Sequence, residues 1–421
     1  MIEIRPLQQC DSVVTIHGSK SYTHRALIVS ALAEGESVLL NALRSEDTEH
    51  TLQGLRQLGI SVSEERETLR VAGQGGRLRE EEETLSLGNS GTSMRFLTAL
   101  SALKKGRTIL DGNERMRKRP MAGLLEGLRA LGVEAGSIHE DGCAPVTVES
   151  RGLKGGTARI RGDESSQFLS ALLMVAPYAK EDITVEVAGR LSSRPYVDIT
   201  LDVMSSFGVE VQRYGDRAFS VQSGQRYRPR EYLVEGDASN ASYFFAAAAI
   251  TRGRIRVENF RPESAQGDRR FLDVLERMGC EVVRAKDCAA LNGKKLRGIE
   301  VDMNAMPDLV PTLAITAAFA EGRTVIQNVA HLRFKESDRI AAVTGELLKM
   351  GVRTEEGQDW LAIEGGNPHG ALIETHDDHR IAMSFAVAGL AVPGVRIQEE
   401  RCVDKSFPGF WETLEMLRSG K

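Results

Sequence analysis

Cations and small polar residues gather where this chain turns abruptly apolar. Four such segments are cationic: Arg117-Lys118-Arg119-Pro120, Arg194-Pro195, Arg333-Phe334-Lys335-Glu336-Ser337-Asp338-Arg339 and Lys405-Ser406-Phe407-Pro408. Six others carry hydroxyls, amides, acids or glycine: Gly18-Ser19-Lys20-Ser21 running to Arg25, Gly88-Asn89-Ser90-Gly91-Thr92, Ser165-Ser166-Gln167, Gly236-Asp237-Ala238-Ser239, Pro307-Asp308, and Asp377-Asp378-His379-Arg380. Each reads as the opening of a helix. Helix N-termini present unpaired N–H groups and a partial positive charge, which makes them anion sites. Hydroxyl, Asn and Asp side chains there also cap the helix, and capping alone accounts for any one of the six. Cations at an opening are different, because each opposes the helix dipole by about 0.3–1 kcal/mol. An anion held between cation and dipole removes the conflict. A solvated surface explains Arg117 and Lys118 as well, but it explains Arg119, Lys335, Arg339 and Arg380 together poorly.

The elements that must position these residues repeat. A helix-ending glycine followed by a small or β-branched residue recurs at Gly59, Gly132, Gly208, Gly279 and Gly351, at steps of 73, 76, 71 and 72 residues, with a sixth copy at Gly420. Apolar residues at three- and four-residue steps precede them, such as Leu52, Leu55 and Leu58, or Leu124, Leu128 and Leu131, and place one face of a helix against a core. Turn glycines ahead of β-rich stretches recur in phase, at Gly35, Gly106, Gly253, Gly322 and Gly394. A fixed period of this kind marks one supersecondary unit used repeatedly. Each unit reads as buried helix, strand, second helix, then more strand. Six units in 421 residues suggest two domains of three.

Composition narrows the classes. The net charge is −5, from 54 basic and 59 acidic groups, so a general nucleic-acid surface is not expected. The apolar runs reach about a dozen residues, where a membrane span takes about 20. The first ten residues lack a basic-then-apolar signal pattern. Five cysteines without a CxxC pair fit a reduced cytoplasm. Familiar motifs fail: a P-loop ending at Lys20 would need glycine where Ser19 and Val14 stand, and His376-Asp377-Asp378-His379 has no further clustered Cys or His to support a metal site.

Ten segments, in order, carry a resemblance: GSKSYTHRAL, LGNSGTSMRFL, ERMRKRP, SSQFLSALLM, SRPYVDIT, GDASNASYF, DMNAMPDLVPT, FKESDR, DDHRIAM and KSFPGF. From end to end the chain resembles the enolpyruvyl transferase family, and within it the branch acting on shikimate 3-phosphate. The resemblance implies an α/β fold of two similar domains, each of three βαβαββ-type units in an inside-out α/β barrel, joined by a two-strand hinge. Residues 18–233 would form the shikimate-3-phosphate-side domain, and 1–17 with 234–421 the other, with the active site in the cleft between them. It implies transfer of the enolpyruvyl group of phosphoenolpyruvate by addition and elimination, with no cofactor and no metal, in a cytoplasmic monomer of the shikimate pathway. Domain closure and inhibition by glyphosate follow from the same resemblance.

The resemblance also implies roles. Lys20, Ser21, Arg25, Ser165, Ser166, Gln167, Ser193, Asp308 and Lys335 would contact shikimate 3-phosphate. Lys20, Gly91, Arg119, Gln167, Arg339, Arg380 and Lys405 would contact phosphoenolpyruvate. Asp308 would accept the 5-hydroxyl proton, with Glu336 and Lys20 as candidates to protonate the methylene carbon. Tyr196 would lie along the shikimate ring or else serve as a core residue. Phe96 and His331 depart from the common pattern; Phe96 would reshape the wall near Gly91. Two rivals remain. The sister branch acting on UDP-N-acetylglucosamine places a reactive cysteine before the Arg-Pro pair, and 111–119 holds none. A non-catalytic binder of phosphorylated metabolites would have no use for Asp308 and Glu336 among the cations.

Overall fold

A computed structural model describes residues 1–65 and 68–419. The chain folds into two compact units, Gly18–Val234 and Met1–His17 with Glu235–Lys421.

Twelve α-helices alternate in role along the described chain: α1 (Lys20–Leu32), α2 (Glu46–Gln57), α3 (Gly91–Ser101), α4 (Ala122–Ala130), α5 (Ser166–Val175), α6 (Arg194–Ser206), α7 (Ala238–Ile250), α8 (Phe271–Arg277), α9 (Val310–Ala318), α10 (Arg339–Lys349), α11 (His379–Gly389) and α12 (Phe410–Ser419). The odd-numbered helices are the inner ones. All thirteen residues of α7 are buried, as are all eleven of α11. A helix that is apolar all round must be enclosed. Even-numbered helices such as α10 bury one face, here Ile340, Val343 and Leu347.

Five of the even-numbered helices end identically. In α2, Ile60 N–H bonds Leu55 O and Gly59 N–H bonds Arg56 O; the same pair of bonds closes the helices before Gly132, Gly208, Gly279 and Gly351. These five glycines have φ between +77° and +115°. The left-handed conformation required by this double cap is nearly free for glycine alone, which is why the marker recurs. Gly420 lies outside the described residues.

The sheets follow one plan. In the second repeat, Glu83–Ser86 runs parallel to Lys105–Asp111, which pairs antiparallel with Val146–Arg151, and that strand pairs antiparallel with Glu134–Ser137. The third and fifth repeats copy it. In the first repeat, the parallel edge strand next to Glu34–Leu40 is Glu231–Leu233. In the fourth, Asp11–Thr15 takes that place beside Arg254–Glu258. The two strands that precede the unit boundaries therefore belong to the unit each is leaving. The sixth sheet has three strands, with Ile2–Glu3 antiparallel to Arg396–Ile397, which runs parallel to Leu372–Ile373. Among the described residues no helix is long and apolar enough to cross a membrane.

Candidate active site

In the Gly18–Val234 unit the openings of α1, α2 and α3 share one buried polar network. Lys20 begins α1, and its Nζ lies 3.0 Å from Asp47 Oδ2 near the start of α2. Ser45 and Thr48 cap α2 reciprocally, which fixes where Asp47 stands. Ser93 Oγ donates to Asp47 O at 3.0 Å, and Thr51 Oγ1 joins Ser93 Oγ to His24 Nδ1 at 2.8 Å each. The sequence reading missed Asp47; its only signal was the helix-opening pattern Ser45-Glu46-Asp47-Thr48.

Gly91 is the first residue of α3. A Cβ there would lie 2.4 Å from Arg119 Nη2 and 2.6 Å from Arg95 Nη1. Arg119 is buried, its Nη1 donating to Asn89 O at 3.1 Å. Arg95, also missed, donates to Gly91 O and Pro120 O. Gln167 Nε2 donates to Thr92 Oγ1 at 3.0 Å, tying the opening of α5 to that of α3, while Ser165 Oγ caps α5 through Gln167 N. Ser166 and Ser193 are buried, and Ser21 is half-buried on α1. Ser193, at φ +55°, leads into α6.

Arg25 binds Ser21 O, Tyr196 O, Ser170 Oγ and Thr200 Oγ1. Burial pushes its pKa down to about 10, with Tyr196 and Tyr22 opposing. Its guanidinium lies 5.1 Å above the Phe96 ring. Phe96, on α3, thus packs against Arg25.

In the other unit, three carboxylates converge on Arg339, the first residue of α10. Its Nη1 donates to Asp308 Oδ1 at 2.8 Å, Nε to Asp378 Oδ2 at 2.8 Å and Nη2 to Glu336 Oε2 at 3.0 Å. Arg380 Nη2 reaches Asp308 Oδ2 at 2.9 Å, and Arg380 Nη1 reaches the Tyr243 hydroxyl at 3.3 Å. Burial works against the Arg339 charge, but Asp378, Glu336 and Asp308 outweigh it and hold its pKa above the ordinary arginine value. The sequence implies an anion between this cation and its helix dipole. The protein supplies three of its own.

Lys335 ends the 3-10 turn Ala330–Phe334, and its charge acts on buried His331, whose pKa falls to about 3 through burial first and Lys335 second. Lys405 is buried at the end of the 3-10 turn Glu400–Lys405, against α11. Asp268, another residue missed from sequence, accepts from Ser239 Oγ at the opening of α7. Burial and the nearby Asp308 charge raise its pKa to about 7.

Two openings differ from expectation. Arg119 and Lys405 do not begin helices: Arg119 stands three residues ahead of α4, and Lys405 five ahead of α12. The dipole conflict therefore does not apply to them. Arg117 and Lys118 are exposed and pair with Asp111 and Glu114, as a solvated surface requires.

Residues 4–414 match the family model described as EPSP synthase (3-phosphoshikimate 1-carboxyvinyltransferase). The chain belongs to the EPSP synthase family. Among its relatives, a 3-phosphoshikimate 1-carboxyvinyltransferase of Nostoc punctiforme is 48% identical over 414 residues, covering 97% of each chain. One from Methanoculleus marisnigri is 47% identical over 398 residues, covering 94% of each. The solved EPSP synthase of Acinetobacter baumannii superposes with a TM-score of 0.83 at 30% identity, covering 99% of this chain and 97% of that one. The EPSP synthase fold, mixed α/β in two domains of repeated βαβ-type units, is therefore that of this chain.

Proposed function

We propose that the chain transfers the enolpyruvyl group of phosphoenolpyruvate to the 5-hydroxyl of shikimate 3-phosphate, releasing inorganic phosphate. The observation that carries this reading is the convergence of Arg339 and Arg380 on Asp308, within a chain that matches the EPSP synthase family over nearly its whole length. Membership of that family, and the absence of cysteine from 111–119, do not favour the UDP-N-acetylglucosamine branch.

In the first step the 5-hydroxyl oxygen bonds to C2 of phosphoenolpyruvate while C3 gains a proton. In the second, C3 gives up a proton, the C2–O bond to phosphate breaks and the double bond returns. Asp308, 17% exposed, accepts the hydroxyl proton, and Glu336 or Lys20 protonates C3. Arg119, Arg339, Arg380 and Lys405 hold the donor's phosphate and carboxylate, a task that suits the arginine fork, while the backbone at Gly91 approaches closely. Lys20 and Gln167 face both substrates. Ser21, Arg25, Ser165, Ser166, Ser193 and Lys335 hold shikimate 3-phosphate. We place this chemistry in a cytoplasmic monomer.

A phosphate-release assay with both substrates tests the reading. Turnover that requires shikimate 3-phosphate and phosphoenolpyruvate together is expected. Turnover with UDP-N-acetylglucosamine instead, or none with either acceptor, overturns it.

A further inference from the structure

Helix α10 grips the segment that opens α11 at two points. Its first residue, Arg339, holds Asp378. Seven residues on, two turns along the same face, Glu346 holds the stretch before it. The Glu346 side chain is only 2% exposed, yet its carboxylate is fully engaged: Oε2 accepts from Glu374 N–H at 3.1 Å, and Oε1 faces His376 Nε2 at 3.0 Å and Lys349 Nζ at 2.9 Å.

Between the two grips the backbone is strained. His376 and Asp377 are consecutive non-glycine residues in the left-handed region, both at φ +54°. Non-glycine residues persist there only where surrounding contacts over-determine the conformation. Both side chains are exposed, and the next residue, Asp378, is fully buried. The turn closes through Asp378 N–H to Thr375 O at 2.9 Å. Two residues later comes Arg380, bound to Asp308.

Glu346, Glu374 and His376 also have the composition of a metal site, their ligand atoms lying within 4.8 Å of one another. However, the Lys349 ammonium stands 2.9 Å from Glu346 and 3.1 Å from Glu374, where a cation would sit. The cluster is already charge-paired by the protein, so holding the turn suits it better than holding a metal.

We infer that Glu346 is a positioning residue for the reaction: it holds the strained His376–Asp377 turn, and through it the placing of Asp378 and Arg380, without touching substrate. This rests on the proposed role of Arg380 in binding the donor. Glu346→Ala releases the Glu374 N–H and His376 together. The turn then relaxes and Arg380 loses its fixed geometry. Glu346→Gln keeps an acceptor for the Glu374 N–H and restores much of the hold.

The test is steady-state kinetics and hydrogen–deuterium exchange on the full chain. Glu346→Ala is expected to raise KM for phosphoenolpyruvate by about tenfold, with KM for shikimate 3-phosphate within twofold, faster exchange confined to residues 374–380, and substantial recovery in Glu346→Gln. A merely structural role would lower Tm, spread the exchange beyond that segment and move both KM values equally. That result, or kinetics and exchange both unchanged, overturns the inference. Should Glu346→Ala fail to fold, Glu346→Asp, which withdraws the carboxylate by one methylene, is judged by the same readouts. If wild type does not turn over the two substrates, the reaction reading fails, and the exchange arm still decides whether Glu346 holds the turn.

Discussion

Arg339 and Arg380 share one carboxylate, Asp308, each guanidinium taking a different oxygen at 2.8 and 2.9 Å. Arg339 is 1% exposed and Arg380 4%, while Asp308 is 17% exposed. The most accessible member of this triad is therefore the carboxylate, and it also bridges the two cations. On the proposed function, a catalytic base and a brace for the donor clamp are combined in one side chain.

Asp308→Asn and Asp308→Ala separate those jobs. Asn retains an acceptor oxygen for one guanidinium, turns an amide N–H toward the other and cannot take a proton, so kcat should fall by about 10²–10⁴-fold with a smaller fall in Tm than in Ala. Ala leaves two buried guanidiniums each short of a partner, a loss worth about 3–5 kcal/mol for a buried pair, so Tm should fall as well. Stopped assays and thermal melts on both variants check this. Unchanged turnover in Asp308→Asn would leave Asp308 as a brace only.

The repeat was legible because its marker is a backbone necessity: the double cap at Gly59 and its four counterparts admits little but glycine. The openings of α1, α3, α5, α7 and α11 were legible because their capping residues are chemically distinctive. The partners were not. Asp47 lies 27 residues from Lys20, and Asp378 39 from Arg339; only the packing of separate helices makes them neighbours. Asp268 and Tyr243 were hidden for the same reason. The misplacing of Arg119 and Lys405 has a local cause. Pro120 and Pro408 suit the first turn of a helix, but they suit any residue with φ near −65° equally well, and here both stand before the helix begins.

His331 should contribute to acid lability. Its pKa is driven down to about 3 by burial, then by the Lys335 charge, with Asp308 opposing and Arg339 adding. The unfolded chain takes up a proton near pH 6.5 that the native protein refuses. The stability from this group is thus complete above about pH 6.5 and is lost as pH falls toward 3. His331→Asn has no such proton, so its unfolding free energy should fall less steeply between pH 6.5 and 4. Urea titrations across that range check it, and parallel slopes would contradict it.

Asp268 should act with the opposite sign. Burial, then Asp308, raise its pKa from 3.8 to about 7, with Asp237 adding and Ser239 and Arg380 opposing. Between those values the native protein holds a proton that the unfolded chain has lost. Stability is complete below about pH 3.8 and is lost as pH rises through 7. A shift of about three units sets a ceiling on the order of 4 kcal/mol. Asp268→Asn keeps an acceptor for Ser239 without a charge, so its stability relative to wild type should climb from pH 4 to 7 and then level off. A difference that does not vary with pH would refute the shift.

Gly91→Ala tests the close approach at the opening of α3. The added Cβ would stand 2.4 Å from Arg119 Nη2, closer than atoms can come, so Arg119 must move and its bonds to Asn89 must give. Overpacking of this kind costs about 1–3 kcal/mol of stability. Because Arg119 is displaced, the KM for phosphoenolpyruvate should rise by about tenfold or more, with the KM for shikimate 3-phosphate much less affected. If glyphosate competes with phosphoenolpyruvate at Gly91, it should inhibit wild type competitively, and its Ki should rise in the Ala variant alongside that KM. A wild-type inhibition curve flat into the millimolar range would remove glyphosate from this site. An unchanged KM in Gly91→Ala would remove Gly91 and Arg119 from the donor's binding surface.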